Sequence, residues 1–154
     1  MDDIRITRAR AQDAGEILTV QRAAYVSEAQ LYNNPMLSAL TENVGDVARA
    51  IEQDIVLVAR QGTRIVGAVR GITDGRMCHV GRLVVAPDMH RRGIGGRLLT
   101  AVELTASGSV DRFTLFTGNR SESNLSLYKR HGYEQAHSHP LSPEVTLVHW
   151  EKLA

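Results

Sequence analysis

Three glycines within four residues, at the mouth of a helix, are the feature this chain must accommodate before any other. Residues 83–99 read LVVAPDMHRRGIGGRLL. Leu83, Val84 and Val85 have the character of a buried strand end, and Pro87 stops the ladder because it has no amide to donate. His90, Arg91 and Arg92 follow, then Gly93, Ile94, Gly95 and Gly96, then a helix whose Ile94, Leu98, Ala101 and Val102 share one face. Each glycine costs about 1 kcal/mol relative to alanine in a helix interior. One physical reading is that something approaches this backbone closely. Without Cβ atoms the first amides of the helix lie open, they have no intrahelical partners, and the helix dipole there favours an anion. With Arg91, Arg92 and Arg97 alongside, the expected guest is a phosphate or pyrophosphate. The plainer alternative is a glycine-softened turn carrying solvated arginines.

Two familiar phosphate loops are excluded. A P-loop requires Gly-Lys-Ser/Thr after its glycines, where this chain has Gly95, Gly96 and Arg97. A dinucleotide fingerprint counted from Gly93 requires a small residue where Leu98 stands, and repeated βαβ units are lacking.

At 154 residues the sequence is expected to form one domain (1–154) with a single core. Its 18 basic and 17 acidic residues nearly balance, which disfavours long-range attraction to nucleic acid or to an anionic membrane. Cys78 is the single cysteine; it excludes an internal disulfide and reads as a buried thiol rather than a nucleophile. No apolar run approaches membrane-spanning length and no signal-peptide pattern precedes the first strand, so a cytoplasmic protein is expected.

In chain order, Ile4 and Ile6 mark a first strand, and Ala14, Ile17, Leu18 and Tyr25 a helix. The pattern breaks over residues 26–40, with a turn at Asn33, Asn34 and Pro35. Tyr25, Glu28, Tyr32 and Met36 are candidates to line a substrate pocket there. A second helix, capped within residues 41–43, is expected to bury Val44, Val47, Ala48 and Ile51. Three antiparallel strands follow, over residues 55–59, 64–71 and 77–85. Two-residue alternation places His79, Gly81, Leu83 and Val85 on one face of the third. After the glycine-led helix come a strand at 111–117, then GNRSESNLSLYKRHGYE, which reads as a short helix ended by Gly132, and a closing strand at 146–150. Asn124 and Tyr128 stand one helical turn apart on that short helix. Residues 136–145 are expected to be a loop shaping the acceptor pocket; its His137 and His139 lack carboxylates or cysteines at ligand spacing, so no metal is expected.

HRRGIGGRLL and SESNLSLYKRHGYE, flanking one strand, together resemble the GCN5-related N-acetyltransferase (GNAT) family, and the element order resembles that family from Ile4 to Trp150. The family's first motif is Gln or Arg, two free positions, Gly, one free position, then Gly or Ala. Here His90 replaces the leading Gln or Arg, exchanging a permanent charge or amide for a group that titrates. The resemblance implies an α/β fold (α+β): a mixed, mostly antiparallel sheet of six to seven strands flanked by about four helices and splayed at an acetyl-CoA cleft. It implies a cofactor-binding stretch over Leu83, Val84 and Val85, in which backbone groups of Leu83 and Val85 pair with the pantetheine arm; the amides of Arg91, Arg92, Gly93, Ile94, Gly95 and Gly96 would hold the pyrophosphate, and His90 would offer a ring N–H or its amide to a phosphate. Arg91 and Arg97 would add charge, and Asn124 would steady the cofactor from the other wall.

The implied reaction is direct transfer of acetyl from acetyl-CoA to a primary amine of a small molecule, peptide or protein, without a metal. An amine of pKa about 10.4 is neutral at pH 7 only about 4.6 kcal/mol uphill, so a base is useful. The family often carries a Glu eleven residues ahead of the first motif; that position is His79, and Glu28 is the rival base. Tyr128 matches the family's proton donor to the departing thiolate. Other readings are an acetyl-CoA-binding regulatory module with little activity, and nucleic-acid binding through Arg91, Arg92 and Arg97, which the charge balance disfavours. Edge strands near the C-terminus can pair between subunits, so the sequence allows a homodimer.

Overall fold

A computed structural model describes residues 3–34 and 36–154. Its elements are β1 (Ile4–Arg8), α1 (Ala14–Leu31), α2 (Ser38–Thr41), α3 (Val44–Gln53), β2 (Ile55–Gln61), β3 (Arg64–Asp74), β4 (Met77–Val85), α4 (Ile94–Ala106), β5 (Arg112–Gly118), α5 (Glu122–Arg130), β6 (Glu134–Ser142) and β7 (Val145–Leu153). The seven strands form one mixed sheet in the order β1-β2-β3-β4-β5-β7-β6. Only β4 and β5 run parallel; the other neighbours are antiparallel. This is the α/β class expected, with seven strands and five α-helices among the described residues, one of the helices a single turn.

One face of the sheet is cut for α4. A Cβ on Gly67 would lie 3.0 Å from Leu98 Cδ1 and one on Gly71 3.0 Å from Val102 Cγ2, so the glycines let the helix seat closely. Ile94, Leu98, Leu99 and Val102 are thereby fully buried, each worth about 1.5–3 kcal/mol of removal from water. The opposite face, where Arg70 points, takes α1, from which Gln21 reaches the same carboxylate as Arg70. Asn43 caps α3 as expected, accepting from the Asp46 amide, but Val44 is exposed and only Val47 and Ala50 of that helix are buried.

Three sequence expectations are corrected. First, α1 does not break at Val26 but continues to Leu31. Its last turns are built from Glu28, Ala29, Gln30 and Leu31, all good helix formers, so propensity carries the helix after the apolar stripe has ended. Asn33 then adopts a left-handed φ of 51°; Pro35 of the expected turn lies outside the described residues. Second, the loop expected over 136–145 is instead most of a hairpin, β6 with β7, and Pro140 is tolerated because β6 is the outermost strand.

Third, β4 does not alternate strictly. Ala68 opposes Val84 while Arg70 opposes Gly81, so β4 spends one residue more than β3 across the same interval, and Arg82 there has a φ of 49°. That bulge reverses the parity of everything after it. Val85 opposes Gly67 on the α4 face, as Val80 opposes Gly71, whereas His79 points the other way. His79 and Val85 are therefore on opposite faces of the sheet.

Candidate active site

β4 and β5 are paired only where Met77, Cys78 and His79 meet Arg112, Phe113 and Thr114. Beyond that point β4 runs on to Val85 and β5 to Gly118 without pairing, and the sheet opens into a fork. Ala86 donates to Val66 across β3, so by alternation the N–H and C=O of Val85 are directed into the fork. Open main-chain groups on a strand edge are a template for an extended guest. The fork leads into a cavity of about 780 Å³ lined by Leu83, Val84 and Val85, by the start of α4, and by residues of α1 and α5.

At the α4 start the glycines have separate reasons. Gly93 is the N-cap with a φ of +73°, and no side chain caps the helix there. The first intrahelical bond is from Arg97 N to Gly93 O, which leaves the amides of Ile94, Gly95 and Gly96 without a carbonyl behind them. Gly95 and Gly96 admit α5: a Cβ on Gly95 would lie 3.6 Å from Leu127, and one on Gly96 3.0 Å from His131 Nε2. Part of the close approach inferred from sequence is thus helix against helix. The open amides remain, and His90, Arg91, Gly93, Ile94, Gly95 and Gly96 all line the cavity. Arg91 also has a left-handed φ, of 65°. Nothing lies within 4 Å of a Cβ added to Gly93, so its replacement by alanine tests the backbone conformation alone. Gly93→Ala should lower the unfolding free energy by about 1–2 kcal/mol, and Gly93→Asn by less, in urea titrations.

The facing walls come from α1 and α5. Tyr25 and Glu28 line the cavity from α1, and Asn124 and Leu127 from α5. Ser121 joins the two walls: its hydroxyl donates to Glu28 Oε2 at 2.7 Å and lies 2.7 Å from the Tyr32 hydroxyl. Tyr32 also accepts from the Arg120 amide at 2.9 Å and packs over Gly118, where a Cβ would fall 2.1 Å from its oxygen. Tyr32 is therefore buried and is not a cavity-lining residue; it clamps the end of α1 to the start of α5. Ser121 stands at the N-cap of α5 but makes no cap bond and serves this junction instead. Met36 is exposed and does not line the cavity.

Tyr128 is buried and is not among the residues lining the cavity, although its phenol feels the charges of Tyr25 and Glu28, which are; its ring packs against those of Tyr133 and Trp150 at 6.2 and 6.5 Å between centroids. Burial, helped by Tyr25 and Glu28, pushes its phenol well above the usual value, so it keeps its proton at physiological pH. Tyr25 is raised likewise, chiefly by burial.

Several residues expected at the site lie elsewhere. His79 sits at the closed end of the fork, with Nδ1 2.6 Å from Thr114 Oγ1, and is not among the residues lining the cavity. Arg97 donates to the Ile4 carbonyl at 2.8 Å and lines a shallower groove beside α4, tying the helix to β1. Arg92 does not line the cavity; its charge acts on Asp88. Cys78 is buried in the core, and burial pushes its thiol up to about 11, which fits a packing residue and not a nucleophile.

Sequence reading missed a charged cluster under the β4 bulge. Both oxygens of Glu42 accept from Arg70 at 3.1 Å, Gln21 donates to Oε1 at 2.9 Å, and Arg82 Nε lies 3.5 Å from Oε1. Burial alone would raise the Glu42 carboxyl, but these hydrogen bonds and the two guanidinium charges hold it down at about 2. No local pattern marks residues 42, 70 and 82 as partners.

Residues 52–135 match the acetyltransferase (GNAT) domain family. A curated relative, UPF0157 protein YqkA of Bacillus subtilis, is 29% identical over 80% of this chain; the chain spans about a third (35%) of that relative's length. Among solved structures, the PaiA N-acetyltransferase of Thermoplasma acidophilum in complex with coenzyme A is 16% identical, with a TM-score of 0.79 over 99% of both chains. YncA of Salmonella typhimurium, a putative acetyltransferase solved with its cofactor acetyl-CoA, is 15% identical, with a TM-score of 0.81 over 98% of this chain and 94% of that one.

Proposed function

This chain belongs to the GNAT acetyltransferase family, and from that premise we propose that it transfers acetyl from acetyl-CoA directly to a primary amine held between α1 and the fork. The observation that carries the reading is the coincidence, in one cavity, of the unpaired edge of β4 with the open amides of the α4 start. The first suits an extended pantetheine arm, and the second suits a diphosphate at a helix N-terminus. Bound there, acetyl-CoA supplies an activated thioester carbonyl.

The residues then divide the work. Val85 N–H, aimed into the fork, donates to the carbonyl oxygen as it gains negative charge. Glu28 lines the acceptor side and takes the amine proton, directly or through a water, while Ser121 holds its Oε2. We favour Glu28 over His79 because Glu28 is on the cavity wall. Asn124 on α5 steadies the cofactor from the facing wall. Tyr128 donates its proton to the leaving sulfur. A free phenol is a weaker acid than a free thiol by about 1.5 pKa units, and burial weakens this one further. The donation therefore depends on a sulfur that is desolvated as well, in the manner of Cys78, whose thiol is lifted to about 11 chiefly by burial and further by the charge of Glu103.

Incubating the purified chain with acetyl-CoA and a panel of amines, while following free thiol, tests the reading. Amine-dependent thiol release is expected, with full activity kept in Cys78→Ala because transfer is direct. Binding of acetyl-CoA without amine-dependent release would mark the chain as a cofactor-binding regulatory module instead. Loss of activity in folded Cys78→Ala would replace direct transfer with an acyl-enzyme route.

A further inference from the structure

The edge of the sheet remote from β1 holds three of the chain's six histidines together. His137 on β6 opposes His149 on β7, and His139 follows two residues along β6 on the same side. The rings of His137 and His149 stack with centroids 4.3 Å apart, and those of His139 and His149 with centroids 5.0 Å apart. One ring nitrogen from each lies within 4.8 Å of those of the other two. His149 Nε2 is buried and, among the described residues, has no hydrogen-bond partner. A buried polar atom left without a partner in a native fold calls for one.

The surroundings favour lone pairs over charges. Three imidazoles this close repel one another when protonated, so their spacing itself favours the neutral forms. The cluster is also separate from the cavity beside β4, which none of the three lines.

We propose that His137, His139 and His149 form a binding site for a divalent late-transition-metal ion of the Zn²⁺ type, with a fourth coordination position open to solvent. Three imidazoles with no thiolate suit Zn²⁺, Ni²⁺ or Cu²⁺, whereas Mg²⁺ and Ca²⁺ take oxygen ligands. Tetrahedral Zn²⁺ with bonds of about 2.0–2.1 Å places its nitrogens about 3.4 Å apart, so ring nitrogens now within 4.8 Å of one another must close in by up to about 1.4 Å. His137 and His139 can supply that movement, because they are exposed side chains on an outermost strand. Such an ion would clip β6 to β7 at the end of the sheet. His137 and His139 are exposed, as expected from sequence, but they lie on a strand and not in a loop, and strand pairing brings His149 beside them.

The test uses the full chain without an affinity tag, stripped with EDTA and titrated with Zn²⁺ by calorimetry, with Co²⁺ as a visible-absorbance probe. About one equivalent of Zn²⁺ should bind, and Co²⁺ should give the absorption bands of a four-coordinate nitrogen site. His137→Gln/His139→Gln changes only exposed side chains and leaves folding intact by circular dichroism; it should weaken Zn²⁺ binding at least about tenfold, as should His149→Phe, which keeps the ring stack. Wild-type chain that takes up no Zn²⁺ at about 100 μM, or a double variant weakened by less than about tenfold, overturns the site.

Discussion

Replacing Glu42 with glutamine is expected to lower the unfolding free energy by about 3–5 kcal/mol, the cost of removing one partner from a buried ion cluster. The side chains of Glu42 and Arg70 are 12% and 11% exposed, so water screens them little. Glutamine keeps the shape and some hydrogen bonding but leaves Arg70 and Arg82 facing each other without the carboxylate between them. Urea titration at pH 7 measures the loss; a change under about 1 kcal/mol would mean the cluster is solvated in practice. The same residue sets an acid limb. Its carboxyl lies at about 2 in the fold against an ordinary value of 4.5, so its stabilisation is fully present above about pH 4.5 and is lost as pH falls towards 2. The amount is about 3 kcal/mol, and that part of the acid sensitivity should vanish in Glu42→Gln. Activity should fall as well. Arg82 adopts its left-handed conformation beside Glu42, and the bulge it forms is what turns Val85 to the α4 face.

Tyr128→Phe is expected to lower kcat about 10²- to 10³-fold while leaving acetyl-CoA affinity within about twofold, the signature of a group that acts only as the leaving sulfur gains charge. Stability should hardly change, because the ring contacts with Tyr133 and Trp150 survive the substitution and the Tyr128 hydroxyl makes no hydrogen bond among the described residues. That separation distinguishes a proton donor from a core anchor, whose truncation would shift the melting temperature first. Rates measured at saturating amine and acetyl-CoA, together with calorimetric binding of acetyl-CoA, decide it. An unchanged kcat under conditions where chemistry limits the rate would remove Tyr128 from the mechanism.

What the sequence determined by itself is what short-range chemistry writes into the chain. Glycine at a left-handed N-cap, proline after an apolar run, and apolar residues at helical or alternating spacing are each decided by a residue and its near neighbours. β4 from Met77 to Val85, the start of α4 at Ile94, and the end of α5 at Gly132 are legible for that reason. So is the open-amide end of α4, since unpartnered N–H groups are a property of any helix start. The tertiary structure alone decided which face each residue meets and which distant partner it finds. One additional residue at Arg82 reversed the alternation and separated His79 from Val85. Tyr32 met Ser121, 89 residues on, and left the pocket wall. Glu42, Arg70 and Arg82 converged beneath the bulge, and the β6–β7 register set His149 against His137. Local spacing fixes the conformation of a segment; strand register and helix docking fix its neighbours, and those depend on the packing of the whole sheet.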